Sequence, residues 1–329
     1  MIGGGVSGTL RTVDAADVER SGRGRRSAVV VNPSKLEDVA GLRRTVTAAL
    51  DADGWPEPAW YETTPEDPGA GQATRAVEDG ADVVLACGGD GTVMACVGAL
   101  AGTDAALAVL PAGTGNLLAA NLGLPLDPTA GVRVVTALGR RRIDVGVVEG
   151  HCFAVMAGMG FDADLLADAS ESLKARVGVA AYVWSALQHL RDRPMRVQVR
   201  LDDGVPFRRR ARTVLVGNVG RLQGGIRLLV DAEPDDGLLD VAVIRAETPG
   251  QWLALASGVL RGRGRVPSME VFRARSVTVE SDREQPRELD GDLIAPGRSL
   301  GVTLRPSALL LCVPQPEESP DLAEGAPRR

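Results

Sequence analysis

The stretch DVVLACGGDGTV (82–93) decides the reading of this chain. It opens as a short apolar, β-branched run, the spelling of a strand buried on both faces. It breaks at Gly88-Gly89-Asp90-Gly91 and resumes as a helical pattern from Thr92. Three glycines in four positions let the backbone take φ > 0 and approach a ligand closely. The helix N-terminus that follows offers unpaired N–H groups and a partial positive charge, which suit a phosphate. Asp90 repels a phosphate unless a cation lies between them, so its presence points to magnesium. The alternative is a tight strand-to-helix turn that uses glycine for geometry alone. The spelling is neither a Walker A loop nor G-x-G-x-x-G.

Working outward, ALAVLPAGTGNLLAANLGLP (106–125) repeats the design: a strand, then Gly113-Thr114-Gly115-Asn116, then a helix. Upstream, SAVVV (27–31) reads as a buried strand. Ser34-Lys35-Leu36-Glu37 spells a capping box, and Leu36, Val39, Leu42, Val46 and Leu50 fall at helical spacing. AWYE (59–62) and a helix ending near Gly80 complete a β-α-β-α order. That order predicts a parallel sheet covered on both faces, with the loops at its carboxyl ends facing one crevice. Thr114 and Asn116 can hydrogen-bond phosphate or substrate hydroxyls there. Val31-Asn32-Pro33-Ser34 is a third loop of interest, in which Ser34 alone reads as a helix cap.

After Arg142 the texture turns mostly β. RIDVGVVEG–HCFAVMAG predicts two strands about a Glu149-Gly150 turn, and MRVQVRL (195–201) alternates before Asp-Asp-Gly. TVLVGN (213–218), LLDVAVI (238–244) and SVTVES (276–281) are further strands, with helical stretches near 163–191 and 248–260. The domain boundary is placed near 143. The closing LGVTLRP–SALLLCV (300–313) reads as a pair of strands that pattern alone assigns to neither domain. Residues 1–26 and 314–329 read as disordered tails. The arginines of the first tail suit either a solvated leader or an anionic membrane surface.

Composition excludes several classes of function. Cys87, Cys96, Cys152 and Cys312 form no C-x-x-C pair, which suits a reducing cytoplasm and argues against disulfides or a thiolate zinc site. His151 and His189 are isolated, so a poly-His metal site is ruled out. A net charge of −6 gives no overall basic field, and no nucleic-acid partner is expected. No apolar run approaches the ~18 residues of a membrane span, and the first twenty residues lack a signal-peptide core. Positive charge is nearly all arginine, with Lys35 and Lys174 as the two lysines.

Two acidic elements stand out in the β-rich part. Asp235-Asp236-Gly237-Leu238-Leu239-Asp240, with Glu233, is an acid cluster that must be solvated, paired or metal-bound. Leu289-Asp290-Gly291-Asp292 follows no obvious hairpin spacing and offers two carboxylates two residues apart. A carboxylate set against a substrate hydroxyl can serve as general base for phosphoryl transfer, or can hold magnesium. Taken singly, each is a turn spelling before it is a site.

Together these elements resemble the diacylglycerol kinase catalytic-domain family of lipid kinases, which includes bacterial lipid kinases, sphingosine kinases and ceramide kinases. The landmarks run in the family's order: VVVNPS (29–34), ETT (62–64), GGDGTV (88–93), PAGTGN (111–116), IDVG (143–146), GMGFDA (158–163), Gly217-Asn218, DDGLLDV (235–241) and LDGD (289–292). GGDGT alone is shared with NAD kinases. The resemblance implies an N-terminal three-layer α/β domain with a mostly parallel sheet, of the NAD kinase and phosphofructokinase type. It implies a second, β-sandwich domain, with ATP in the cleft between them. It also implies that the last strands return to the first domain, which gives 27–142 plus 301–313 and 143–300 as the two units.

By matching positions the resemblance implies an ATP site of Asn32, Thr64, the loop Gly88, Gly89, Asp90, Gly91, Thr92, Val93 and Met94, and Thr114; Gly113 and Asn116 lie in the same second loop. It implies a structural magnesium at Asp236, helped by backbone carbonyls of Glu233 and Leu238. Asp292 takes the place of the proton acceptor, a role some members give to the residue matching Asp90. Three departures stand out. Met94-Ala95 replaces an Asn-Glu pair. Asp292 replaces a glutamate, a side chain shorter by about 1.5 Å. Gly115-Asn116-Leu117 follows the sphingosine-kinase spelling rather than G-T-x-N-D.

A lipid substrate implies peripheral contact with the inner face of the cell membrane by a cytoplasmic protein. The amphipathic stretches 173–193 and 251–265, both edged with arginine, could supply that contact or simply cover a core. A homodimer stays open. The competing readings are an NAD kinase-like soluble metabolite kinase and a catalytically weak nucleotide- or lipid-binding relative.

Overall fold

The computed structural model describes residues 25–160, 193–221, 227–261 and 266–314. The stretch 163–191, most of the segment 173–193, Arg263, Arg265 and nearly all of both tails lie outside the described residues. Strands β1 (Ser27–Val31), β2 (Ala59–Glu62), β3 (Val83–Gly88) and β4 (Ala106–Pro111) run parallel in the order β2-β1-β3-β4. Helices α1 (Val39–Ala52), α2 (Ala70–Glu78), α3 (Asp90–Leu100), α4 (Leu117–Asn121) and α5 (Pro128–Thr136) fill the connections. The alternation along each strand sorts the layers. Val30, Ala86 and Val109 pack with Ala73, Val97 and Leu100 on one face, while Val29, Leu85 and Leu110 pack with Leu42, Val46 and Val132 on the other. Strands buried on both faces explain why these runs read as continuously apolar.

The second half is a β-sandwich built on long, shared strands. β5 (Arg140–Val148), β6 (His151–Phe153) and β7 (Met156–Met159) lead into β8 (Met195–Leu201), β9 (Phe207–Ala211), β10 (Thr213–Gly217), β11 (Leu239–Ile244) and β12 (Met269–Ala274). β13 (Ser276–Leu289) pairs with β8 through Val277–Ser281 and with β7 through Arg287–Leu289, and bulges between Glu280 and Arg287 swing it from one partner to the other. Ala157, Met159, Val199, Val216, Val241 and Leu300 close the core between the layers. Helix α6 (Pro249–Leu260) begins with a capping box of Thr248 and Gln251 and covers the outer face. No helix among the described residues is long and apolar enough to cross a membrane.

The end of the chain departs from the pair of strands read from its pattern. β14 (Asp292–Cys312) is one continuous strand. Its first part pairs with β13, and its last part lies parallel to β4 through Leu310↔Ala106 and Leu311↔Leu107. The break suggested by Pro306-Ser307 is a kink: Ser307 takes φ 49° and the pairing on β5 jumps from Arg305 to Leu309. The first helix also starts later than its spelling. Asn32 takes up Ser34, and Asp38 caps the helix by accepting from Gly41 N at 2.7 Å.

Candidate active site

The strand order 2-1-3-4 reverses direction between β1 and β3, and ligand crevices of open α/β sheets lie at such a point. Asn32, at the exit of β1, donates its N–H to Cys87 O at 2.9 Å and its Nδ2 to Thr92 Oγ1 at 3.3 Å. It thereby joins the first loop to the first turn of α3. A Cβ on Gly88 would stand 2.7 Å from Thr92 Cβ, so only glycine lets that turn close. Gly89 caps α3 with no side-chain hydrogen bond. The two glycine loops form one surface: Ala112 N donates to Gly88 O at 2.9 Å, and a Cβ on Gly113 would meet Gly89 Cα at 2.7 Å. Asn116, at φ 45°, holds the second loop shut by accepting from Gly113 N at 3.1 Å and donating to Gly113 O at 2.7 Å.

That close approach yields a test. Gly113→Ala forces one backbone off another, which costs about 1–3 kcal/mol. The expected result is ATP binding weakened about tenfold or more in titration calorimetry, with the overall fold kept. Unchanged affinity would mean that the nucleotide does not use this surface.

Thr114 stands exposed on the same loop. Thr64 is engaged by its own loop, its Oγ1 accepting from Asp67 N at 3.2 Å; the loop leans on α3 at Gly69, where a Cβ would lie 3.4 Å from Thr92 O. Val93 is buried and Met94 packs on the same core, so these two side chains belong to the α/β core. Lys35, read only as part of a capping spelling, lies over the first loop: its Cε is 3.8 Å from where a Gly89 Cβ would be.

Asp90 and Asp292 meet in this crevice from opposite halves of the chain. Asp90 Oδ1 accepts from Leu117 N at 2.6 Å. Burial raises its carboxyl above the ordinary range, the Leu117 and Asn116 amides pull it down, and the Asp292 charge adds to the rise. Asp292 Oδ2 lies 3.7 Å from the position of a Gly91 Cβ, and burial raises its carboxyl too. What delivers Asp292 is a tight hairpin. Leu289 pairs with Asp292, and Asp290 (φ 51°) and Gly291 (φ 91°) form the two-residue turn between β13 and β14. Asp-Gly with two positive φ values is the favoured spelling of that turn, so the hairpin signal lay in the sequence unrecognised.

Asp290 is the anchor. Its buried carboxylate accepts from Ala154 N at 2.9 Å, Val155 N at 2.9 Å and Met156 N at 2.7 Å, and its own N–H donates to Met156 O at 2.8 Å. Burial pushes it up to about 7 against those three amides. Asn218 continues the frame by donating to Ala154 O at 3.1 Å and Asp144 O at 2.9 Å. Buried Asp144 accepts from Gly237 N at 2.7 Å and from Ser307 N, beside the kink of β14, at 2.6 Å. Asn121 of α4 exchanges two hydrogen bonds with the backbone of Arg221, at 2.9 and 2.8 Å, and so clasps the two halves.

The Glu233–Leu238 turn is tied to the frame through its backbone, Asp144 N donating to Pro234 O at 2.6 Å and Gly237 N to Asp144, while its carboxylates bond elsewhere. Asp236 gives one oxygen to Leu238 N at 2.9 Å and the other to Arg273, while Asp235 pairs with Arg141 through two contacts of 2.7 Å. A magnesium ion held by Asp236 and the carbonyls of Glu233 and Leu238 would have to displace the Arg273 guanidinium from that carboxylate. Among the described residues, no three His, Cys, Asp or Glu side chains gather as a metal site.

A parallel sheet with two fused glycine loops, an open helix N-terminus and a carboxylate delivered from a β-sandwich defines a two-domain nucleotide-dependent kinase fold. Residues 26–148 match the diacylglycerol kinase catalytic domain, and residues 154–313 match the YegS C-terminal NAD kinase beta sandwich-like domain. The chain belongs to the diacylglycerol kinase catalytic-domain family of lipid kinases. It is 33% identical over 266 residues to a Pseudomonas fluorescens protein named "Probable lipid kinase YegS-like", covering 76% of this chain and 84% of that one. It is 29% identical over 279 residues to the diacylglycerol kinase of Bacillus subtilis, covering 82% and 90%. Among solved structures, a diacylglycerol kinase from Bacillus anthracis str. Sterne superposes with TM-score 0.64 at 21% identity, covering 88% of this chain and 97% of that one. An NAD kinase from Archaeoglobus fulgidus in complex with ATP superposes with TM-score 0.51 at 12% identity, covering 91% and 98%.

Proposed function

We propose that this lipid kinase uses ATP and magnesium to phosphorylate the primary hydroxyl of diacylglycerol or a related lipid alcohol, at the cytoplasmic face of the membrane. The observation that carries the reading is the arrival of Asp292 beside Gly91, against the glycine loop of the other half. The loop from Gly88 to Thr92 and the open N-terminus of α3 would hold the phosphates, with Asn32 and Gly113 shaping the crevice. Asp90 and Asp292 form no ion pair with a described residue, so two carboxylates beside bound phosphates fit a magnesium ion carried in with the nucleotide. That ion supplies neutralisation of phosphate charge. In this scheme Asp292 accepts the proton of the attacking hydroxyl. Catalysis of this kind is mostly positioning and electrostatics, so Asp292 needs no exceptional basicity. Membrane contact is supported by α6, where Leu253 is 58% exposed next to half-buried Trp252.

The likeness to NAD kinase structures keeps a soluble acceptor as the competing reading. Both are decided by transfer of radiolabelled γ-phosphate from ATP with magnesium, against a micellar panel of lipid alcohols and against NAD in the same buffer. An organic-extractable product supports the proposal. Label on NAD overturns it in favour of a metabolite kinase. No transfer, with ATP binding intact, overturns it in favour of a catalytically weak relative.

A further inference from the structure

The hairpin of β8 and β9 reads MRVQVRLDDGVPFRRRAR (195–212), six arginines against two aspartates in a chain whose net charge is −6. Strand alternation divides them. Met195, Val197, Val199 and Ala211 point into the sandwich core, so Arg196, Arg200, Arg208 and Arg210 stand exposed on its outer face. The register sets Arg196 directly opposite Arg210, and Arg208 opposite Gln198. Like charges facing each other across a strand pair are destabilising, so folding alone does not favour this pairing. None of the four forms an ion pair with a described residue; Arg208 reaches the Gln198 amide at 3.5 Å. The nearby acids do little to balance them. Glu280 of β13, opposite Gln198, shares the face. Asp282 is engaged by Arg196 N and Arg283, Asp202 by the amides of Arg275 and Ser276, and Asp203 is exposed at the turn.

The free edge of β9 sits beside that face. β9 pairs with β8 and with no other described strand. On the inner side of the same edge the half-buried rings of Phe207 and Phe272 meet at 5.0 Å, across the opening between β9 and β12. Arg209 is spent there on Glu270, at 2.9 Å, an acid it shares with Arg245. Such an edge turns away a second copy of itself, because arginine would meet arginine. It accepts a strand of opposite charge, whose backbone pairs with β9 while its side chains alternate between the arginine face and the phenylalanine pair. A bilayer is the other anionic surface to weigh. α6, the membrane contact of the reading above, packs on Leu215, Ala242 and Ile244, on the opposite outer face of the sandwich. A membrane beneath α6 therefore leaves these arginines pointing away from it.

We propose that the free edge of β9 docks an extended acidic segment of a partner protein, in which carboxylates alternate with apolar side chains. The carboxylates meet Arg208 and Arg210, with Arg196 and Arg200 one strand further in, and the apolar side chains cover Phe207 and Phe272. Main-chain pairing supplies affinity, and the two-residue alternation supplies selectivity. Such docking is independent of phosphate transfer; only the choice of a protein over a bilayer rests on membrane contact at α6.

The test titrates the full chain with two fluorescein-labelled decapeptides of one composition, glutamate and valine in alternation or in two blocks, and follows anisotropy. The alternating peptide is expected to bind tenfold or more tighter than the blocked one, and to slow amide hydrogen exchange across Phe207–Ala211. The double variant Arg208→Gln, Arg210→Gln is expected to weaken that binding tenfold or more, with melting temperature and γ-phosphate transfer unchanged. Equal affinity for the two peptides overturns the proposal, since it is the mark of a charged field without strand pairing. Binding of neither peptide, or undiminished affinity in the variant, overturns it as well. So does wild-type protein that ignores both peptides yet sediments with phosphatidylglycerol vesicles through the same arginines, which makes the face a bilayer contact. Absence of γ-phosphate transfer in the wild type overturns the lipid-kinase reading and leaves this docking in place.

Discussion

Asp90→Ala is expected to lower phosphate transfer by about 10²–10³-fold, the usual loss when one preorganised electrostatic group is removed from a transition-state site. The expectation comes from position. Asp90 lies in the first turn of α3 between the two glycine loops, and it feels the charge of Asp292 across the crevice. Removing it takes away a carboxylate that fits the nucleotide's cation and leaves the phosphates over an unbalanced helix N-terminus. The stability cost should be small by comparison. The variant gives up the hydrogen bond from Leu117 N at 2.6 Å, at the start of a five-residue helix and worth about 1–2 kcal/mol, together with the weaker pull of the Asn116 amide. The two measurements separate the roles: initial rates of γ-phosphate transfer, and the thermal unfolding midpoint with and without ATP. A variant within threefold of wild type in turnover would remove Asp90 from the mechanism. A variant that fails to unfold cooperatively would show that the Asp90–Leu117 bond is a fold element first.

The α/β half was legible because its signals are local and repeated. Continuous apolar runs alternate with helical spacing, and each strand ends in residues with a physical reason to be there. What escaped the sequence depends on partners far along the chain. Ser34 spells a capping box with Glu37, but Asn32 engages it from two residues before and the helix waits for Asp38. No pattern in residues 27–50 ranks one cap over the other. Pro306-Ser307 suggests a strand break, yet Asp144 accepts from Ser307 N and carries the strand through the kink from one sheet into the other. The site was legible in part. Asp90 and the glycine loops announce themselves by composition, and Asp292 by resemblance. Asp290, Asp144 and Asn218 act through buried backbone amides and carbonyls, which leave no signature at the residues that receive them.

Asp290→Ala should be the most destabilising single change in the hairpin. The carboxylate accepts three amides in succession, Ala154, Val155 and Met156, on the segment that joins β6 to β7. That segment is where the chain passes between the two cores, with Val155 and Met156 packed in the α/β half and Ala157 in the sandwich. Alanine would leave three buried donors without an acceptor, at about 1–3 kcal/mol each before relaxation or water entry. A net loss of about 3–5 kcal/mol follows, in line with removing one partner of a buried charged network. For a chain of this size that is a fall of about 10 °C in melting temperature. Asp290→Asn should fall less, because its amide oxygen can still accept from Val155 and Met156, which now share Oδ1, while its NH₂ faces the Ala154 N–H. The order wild type, Asn, Ala in urea or thermal unfolding is thus a signature of amide capture rather than of side-chain volume. Equal melting temperatures for wild type and Asp290→Ala would show that the segment holds itself. If the order is found, the same variants should lose transfer activity in that sequence, because the turn that captures the amides is the turn that sets Asp292 beside Gly91.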